Sequence, residues 1–156
     1  MDESIKKADR SDFVTDVCET FGLEEQPVMQ YSPLALAYIG DGIYDLVIRT
    51  MILERGNAKA NLLHRQVSEI VKASAQAEMI RKMEPILTEE EKSVYRRGRN
   101  AKSYTKAKNA SVSEYRHATG FEALMGYLYL NHQMDRLMEL VKYGLLEERE
   151  ECTAKN

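Results

Sequence analysis

Apolar positions along this chain recur every three or four residues rather than every second one, a spacing that predicts helices almost throughout. The strongest case is "YSPLALAYIGDGIYDLVIRT", Tyr31 to Thr50. Ser32 ahead of Pro33 supplies an N-cap and a first-turn proline, so a helix is expected to run to about Leu53 and to close at Gly56. On that helix Leu34, Ala37, Tyr38, Asp41, Asp45 and Ile48 share one side, while Leu36, Ile39, Ile43, Leu46 and Val47 fill the other. It is apolar almost all round and is expected to be central. Asn57 is expected to cap "AKANLLHRQVSEIVKASAQAEMIRKM", long enough for one bent helix or two shorter ones, with Pro85 just past its end. "TEEE" at Thr88 has the form of a capping box and opens a short helix expected to stop at Gly98, and the polar "RNAKSYTKAKNA" after it is expected to be a loop. "SVSE" at Ser111 is a second capping box, leading into "YRHATGFEALMGYLYLNH". A last amphipathic helix, "MDRLMELVKYGLL", has Gly144 near its expected C-terminus. The prediction is an all-α chain with one body, residues 31–146, preceded by an acidic N-terminal segment, 1–30, and followed by a frayed, flexible acidic tail, 147–156.

Length and composition fit that outline. A chain of 156 residues with 44% hydrophobic and 30% charged positions supports one real core and is too apolar to stay disordered. No stretch approaches the ~18 consecutive apolar residues of a membrane span. The charged start "MDESIKKADR" does not resemble a secretory signal, so a cytoplasmic protein with no membrane partner is expected. Cys18 and Cys152 stand far apart, outside any metal or redox spacing. The net charge of −3 is distributed unevenly: Met1 to Gln26 carries eight acids against three bases, whereas Lys92 to His117 carries eight Lys or Arg against Glu114 alone. Such a local basic excess suits a phosphate-rich partner.

The acids inside the apolar helices are the candidate chemistry. Besides Asp41 in the first, Glu122 lies in the apolar middle of the segment Tyr115 to Leu130, where Tyr115, Ala118, Thr119, Glu122, Gly126 and Tyr129 share one side. Gly40, Gly42, Gly120 and Gly126 each cost a helix about 1 kcal/mol relative to alanine, which close approach of two helix backbones would compensate. If the helices cross near Gly40 and Gly120, Asp41 and Glu122 face a shared crevice, where two carboxylates repel unless a cation or a proton joins them. Hard oxygen donors favour Mg²⁺, or Mn²⁺ in its place, over zinc. The alternative is a purely structural pair that accepts hydrogen bonds from Arg, Lys, Tyr or backbone donors.

These residues also carry a resemblance. "YIGDGIYDLVI" resembles the signature helix of ribonuclease III, and "FEALMGYLYL" resembles that family's second acidic helix, in the same order. The set "LALAYIGD", "RRGRNAK", "KNAS" and "YRHATGFEALMGYLYL" is similar to the short Mini-III branch, over about Ser32 to Leu146. The resemblance implies a ribonuclease III-like catalytic body, an all-helical homodimer that cuts both strands of double-stranded RNA with a divalent metal, leaving 5′-phosphate and 3′-hydroxyl ends. For the Mini-III branch it further implies maturation of 23S ribosomal RNA precursor ends with a ribosomal protein as stimulator. Asp41 matches the aspartate of the signature "GD" and Glu122 the glutamate of "FEAL", the two metal-binding acids. The pattern departs at Ala37 and Thr119, where longer relatives carry a second pair of acids, so a site poorer in carboxylates is expected, with Thr119 and Asp45 in supporting roles.

The basic segment follows the same logic. Arg96, Arg97 and Arg99 gather around Gly98, and with Lys102, Lys106 and Lys108 they precede the Glu122 helix, suited to phosphate contacts on A-form RNA. The stretch after Leu146 is too short for a double-stranded-RNA-binding domain, so weak, salt-sensitive binding is expected. His64, His117 and His132 stand in no triad context and are expected to be structural or surface residues. The rival to an active nuclease is a catalytically idle RNA-binding or ribosome-assembly module.

Overall fold

The structure is a computed structural model that describes residues 12–102 and 111–154, with side chains through residue 146. Seven α-helices and two short 3₁₀ turns occur among the described residues, and no strand occurs among them. In chain order the helices are α1 (Phe13–Thr20), α2 (Pro33–Arg55), α3 (Ala60–Val71), α4 (Ala73–Met83), α5 (Glu89–Asn100), α6 (Val112–Leu130) and α7 (Met134–Ala154).

The local start signals act as their chemistry requires. The Ser32 hydroxyl accepts from the Ala35 amide, and Thr88 with Glu91 and Ser111 with Glu114 form complete capping boxes. Other boundaries move. The second segment is two helices, broken at Lys72 (φ −62°, ψ 154°), and Lys59 rather than Asn57 stands at the N-cap, without a side-chain bond. Gly98 does not stop α5, which runs to Asn100. A β-carbon on Gly98 would lie 2.7 Å from the Ala123 β-carbon and 2.9 Å from the Gly120 α-carbon, so its lack of a side chain serves packing against α6 rather than termination. The last helix does not end near Gly144 either but continues to Ala154. Part of the acidic N-terminal segment forms α1, an element the hydrophobic pattern did not announce, capped by Asp12 and anchored by the buried Val14.

The core is built around α6. Phe121, Ala123, Leu124, Met125 and Leu128 are wholly buried, enclosed by α2, α4, α5 and α7. Tyr44 of α2 meets the Phe121 ring edge-on at 4.8 Å between centroids. α7 is fastened to α5 through one charge pair. Arg136 donates from Nε and one terminal nitrogen to the two oxygens of the buried Glu91, both at 2.9 Å, and also to the Ile86 carbonyl. Burial alone would raise the Glu91 carboxyl, but the Arg136 and Thr88 hydrogen bonds outweigh it and hold the group below the usual glutamate range. At the other end of α6, His132 turns the chain with φ 58° and pairs with Asp12 and Glu25, tying α1 to the body.

α2 is central on one side only. Leu36, Ala37, Tyr44 and Ile48 are buried, but Tyr38 is 82% exposed, and Leu46 and Leu53 about half exposed, so the expectation of a helix surrounded on every side is corrected.

Candidate active site

Two glycines set the site. A β-carbon on Gly40 would lie 1.7 Å from the Glu122 carbonyl oxygen, and one on Gly126 would lie 1.9 Å from the Leu36 carbonyl oxygen. The backbones of α2 and α6 therefore touch where Leu36 and Gly40 meet Glu122 and Gly126. The crossing partner of Gly40 is Gly126, not Gly120, whose open side is filled by Tyr95 of α5. The consequence for the acids is nonetheless the one expected: Asp41 follows Gly40, Glu122 lies at the contact itself, and the two carboxylates sense each other.

Their electrostatics show it. Burial first, and then the Asp41 charge, push the Glu122 carboxyl up to about 8, while Gln76 acts in the opposite direction. Asp41 is raised as well, by burial and then by Asp45. The one hydrogen bond that favours a charged form in the pair is the one from Gln76 to Glu122, and burial outweighs it. No group of three or more His, Cys, Asp or Glu side chains suited to a metal occurs among the described residues. What the crossing offers is an exposed Asp41 carboxylate acting on a half-buried Glu122 carboxylate, with the buried Gln76 amide beside Glu122. A small hard cation fits that donor set, since it needs oxygen ligands and keeps several waters of its own.

Asp45 forms an ion pair with Arg49 one turn along α2, so it reaches the site through its charge on Asp41. Thr119 Oγ1 donates to the Tyr115 carbonyl at 2.9 Å and is spent within its own helix. Gln76 is the neighbour that sequence reasoning missed. A glutamine on an amphipathic helix carries no signal of its own, yet this one is only 2% exposed.

The basic residues are arranged differently from the expected loop. Arg96, Arg97 and Arg99 belong to the last turns of α5, and the Gly98 contact lays those turns along the first half of α6. Arg96 and Arg97 are exposed, whereas the Arg99 guanidinium stands 5.6 Å above the Tyr95 ring, whose hydroxyl is bonded to His117 Nδ1 on α6. Lys102 is exposed just beyond the helix, and Lys106 and Lys108 lie outside the described residues. A basic face thus adjoins the helix that carries Glu122.

Known proteins resemble this chain over most of its length. The Ribonuclease III domain family matches residues 34–133. A Mini-ribonuclease 3 of Enterococcus faecalis is 53% identical over 116 residues, 73% of this chain and 88% of that protein. One from Thermoanaerobacter is 48% identical over 123 residues, 79% and 87% of the respective chains. A crystal structure of a Fusobacterium nucleatum protein superposes with a TM-score of 0.68 at 31% identity, covering 76% of this chain and 94% of the other. The chain belongs to the ribonuclease III family of endoribonucleases, in its Mini-III branch.

Proposed function

We propose that this endoribonuclease cuts double-stranded RNA with Mg²⁺, Mn²⁺ being a possible substitute, and that Asp41 and Glu122 are the residues that hold the metal. The observation that carries this reading is the meeting of the two acids at the α2–α6 backbone contact, where burial and the Asp41 charge push Glu122 up to about 8. A bound divalent cation supplies Lewis-acid stabilisation of the phosphate and a nucleophilic water at neutral pH. The chain's own residues do the rest. The glycine contact fixes the two acids on rigid helices, and Asp45 adds to the negative field that attracts a cation. Arg96 and Arg97 meet the RNA backbone through phosphates, together with Lys102, Lys106 and Lys108, and Arg99 is steadied on Tyr95 for the same purpose. Hydrolysis leaves 5′-phosphate and 3′-hydroxyl ends.

The working unit in this proposal is a homodimer in which each protomer cuts one strand, supported by the apolar exposed side of α2. Its natural substrate is the stem that joins the ends of 23S ribosomal RNA precursor, presented with the help of a ribosomal protein. That assignment extends the Mini-III membership.

The test is cleavage of a long RNA duplex and of a precursor-like stem, in Mg²⁺ and in EDTA, by wild type, Asp41→Asn and Glu122→Gln. Metal-dependent cutting by wild type, reduced at least 10³-fold in both variants with RNA binding retained, is the expected result (an order of magnitude taken from roughly 4 kcal/mol of lost transition-state stabilisation). RNA binding without scission in either Mg²⁺ or Mn²⁺ would instead make this an idle member of the family, in keeping with Ala37 and Thr119 standing where longer relatives have acids.

A further inference from the structure

One imidazole closes α1 at both ends. His132 Nδ1 meets Asp12 Oδ1 at 3.1 Å, and Nε2 is bonded to Glu25 Oε1. Asp12 stands just before α1, and Glu25 lies shortly after its end at Thr20. The same Asp12 oxygen accepts from the Val14 amide, so cap and clasp converge on one atom. The position is a costly one for a histidine. It follows the C-cap of α6 and takes the left-handed conformation, φ 58°, its amide donating to the Tyr129 carbonyl and that of Gln133 to the Leu128 carbonyl. Glycine or asparagine ordinarily fills that place in such a turn. A side chain that bonds to two acids from the far end of the chain gives the departure a reason.

Little else fastens α1. Val14 is its one buried residue, and Cys18 packs on the core. The Phe13 ring, itself largely exposed, tilts against Tyr129 at 6.4 Å between centroids. A helix of eight residues is not stable by itself in water, so α1 exists only while it is held on the body.

The clasp depends on a proton. Ionised carboxylates only accept hydrogen bonds, so both contacts need a ring nitrogen that donates, and only the imidazolium has two. A neutral ring turns one lone pair onto a carboxylate oxygen. Asp12 and Glu25 are the charged groups that act on it: burial alone would lower its proton affinity, but the bonds it donates to Glu25 and Asp12 outweigh that and raise it. Its neighbours in the turn, Asn131 and Gln133, bond to each other and carry no charge. Cys18 and Tyr129 are the other titratable side chains at the contact. A group that holds its proton more tightly in the folded chain lends stability at low pH and withdraws it as pH rises through its raised titration.

We propose that His132 is a pH-operated clasp: as the imidazolium it holds α1 on the body, and on losing its proton it lets α1 unwind. Release uncovers Tyr129 at the C-terminal end of α6, the helix that carries Glu122. Neither metal nor RNA takes part.

Amide hydrogen exchange of the full chain, followed by mass spectrometry at pH 6 and pH 8.5 and corrected for the intrinsic rate at each pH, tests it. Exchange in α1 is read against α6 as an internal reference. In wild type the protection of α1 is expected to fall about tenfold from the lower pH to the higher, the size of one lost hydrogen bond to a charged group, while α6 stays protected. His132→Asn keeps a residue that tolerates positive φ and removes both ring nitrogens, so α1 should exchange fast at both values. Glu25→Gln lets a neutral ring donate to Asp12 and accept from the amide, so α1 should stay protected at pH 8.5. A wild-type change below twofold overturns the proposal. So does a pH response in His132→Asn as large as that of wild type, which would assign the response to Cys18 or another group. Should His132→Asn fail to fold, Glu25→Gln decides, and a response as large as that of wild type overturns the clasp.

Discussion

At the scale of single residues, Glu122 sets function against stability. In the metal-free chain its carboxyl is pushed up to about 8 by burial and by Asp41, with only Gln76 opposing. A folded-state value above the unfolded one means that the folded chain binds this proton more tightly than the unfolded chain does. The group therefore costs no stability at low pH, and the cost grows from the ordinary glutamate range up to about pH 8, where it levels off. Glu122→Gln removes the ionisation and is expected to raise the stability of the metal-free protein at pH 7.5 by about 1–3 kcal/mol, the range left once partial solvent access trims the full linkage. For a chain of this size that is a rise of several degrees in melting temperature. Thermal melts in EDTA at pH 7.5 and pH 5 test it. The gain should shrink toward pH 5, and a variant that melts no higher than wild type at pH 7.5 would show that the carboxylate is already compensated.

At the scale of elements, the α2–α6 crossing is the feature on which the site depends. Gly126→Ala drives a β-carbon against the Leu36 carbonyl oxygen, a backbone atom that no rotamer change can move aside. The helices must separate, and a loss of about 2–4 kcal/mol is expected, at the upper end of what overpacking costs. Gly42→Ala, whose β-carbon meets nothing within 4 Å, should instead stabilise by up to about 1 kcal/mol through helix propensity. Denaturant titrations of the pair separate packing from propensity, and equal effects in the two variants would contradict the contact. The same distinction explains what the sequence made legible. Ser32, Thr88 and Ser111 announced their helices because caps are local chemistry. Asp41 and Glu122 stood out because acids are scarce in apolar helices. Gly98 misled because a glycine reads as a stop signal, whereas its reason is the β-carbon of Ala123 one helix away. Gln76 was silent because its burial is created by the Lys72 break and by the packing of α4 on α6, and neither leaves a trace in residue spacing.

At the scale of the whole molecule, hydrophobic periodicity does not tell a core from a surface that another chain will cover. Tyr38, Leu46 and Leu53 share the exposed side of α2, and Met138 and Leu146 of α7 border the same region across a groove of about 560 Å³ lined by Ile43, Val47 and Leu145. Apolar surface gathered in this way marks an interaction site. In the proposed homodimer this face is the contact, and it runs along the helix that carries Asp41, so pairing the protomers also sets the spacing of the two sites. Leu46→Glu and Leu53→Glu place buried, unpaired charges at such a contact without touching Asp41, Glu122 or Gln76. Each is expected to weaken self-association by about 3 kcal/mol or more, over a hundredfold, the cost typical of an uncompensated buried charge. Sedimentation velocity of the purified chain reads the association state, and Mn²⁺ binding confirms that the metal site survives. A monomeric variant that still binds Mn²⁺ should lose double-strand scission, because one site cannot attack both strands from a fixed geometry. Variants that sediment like wild type would move the contact to another face, and a wild-type chain that cuts duplex RNA as a monomer would separate catalysis from pairing altogether.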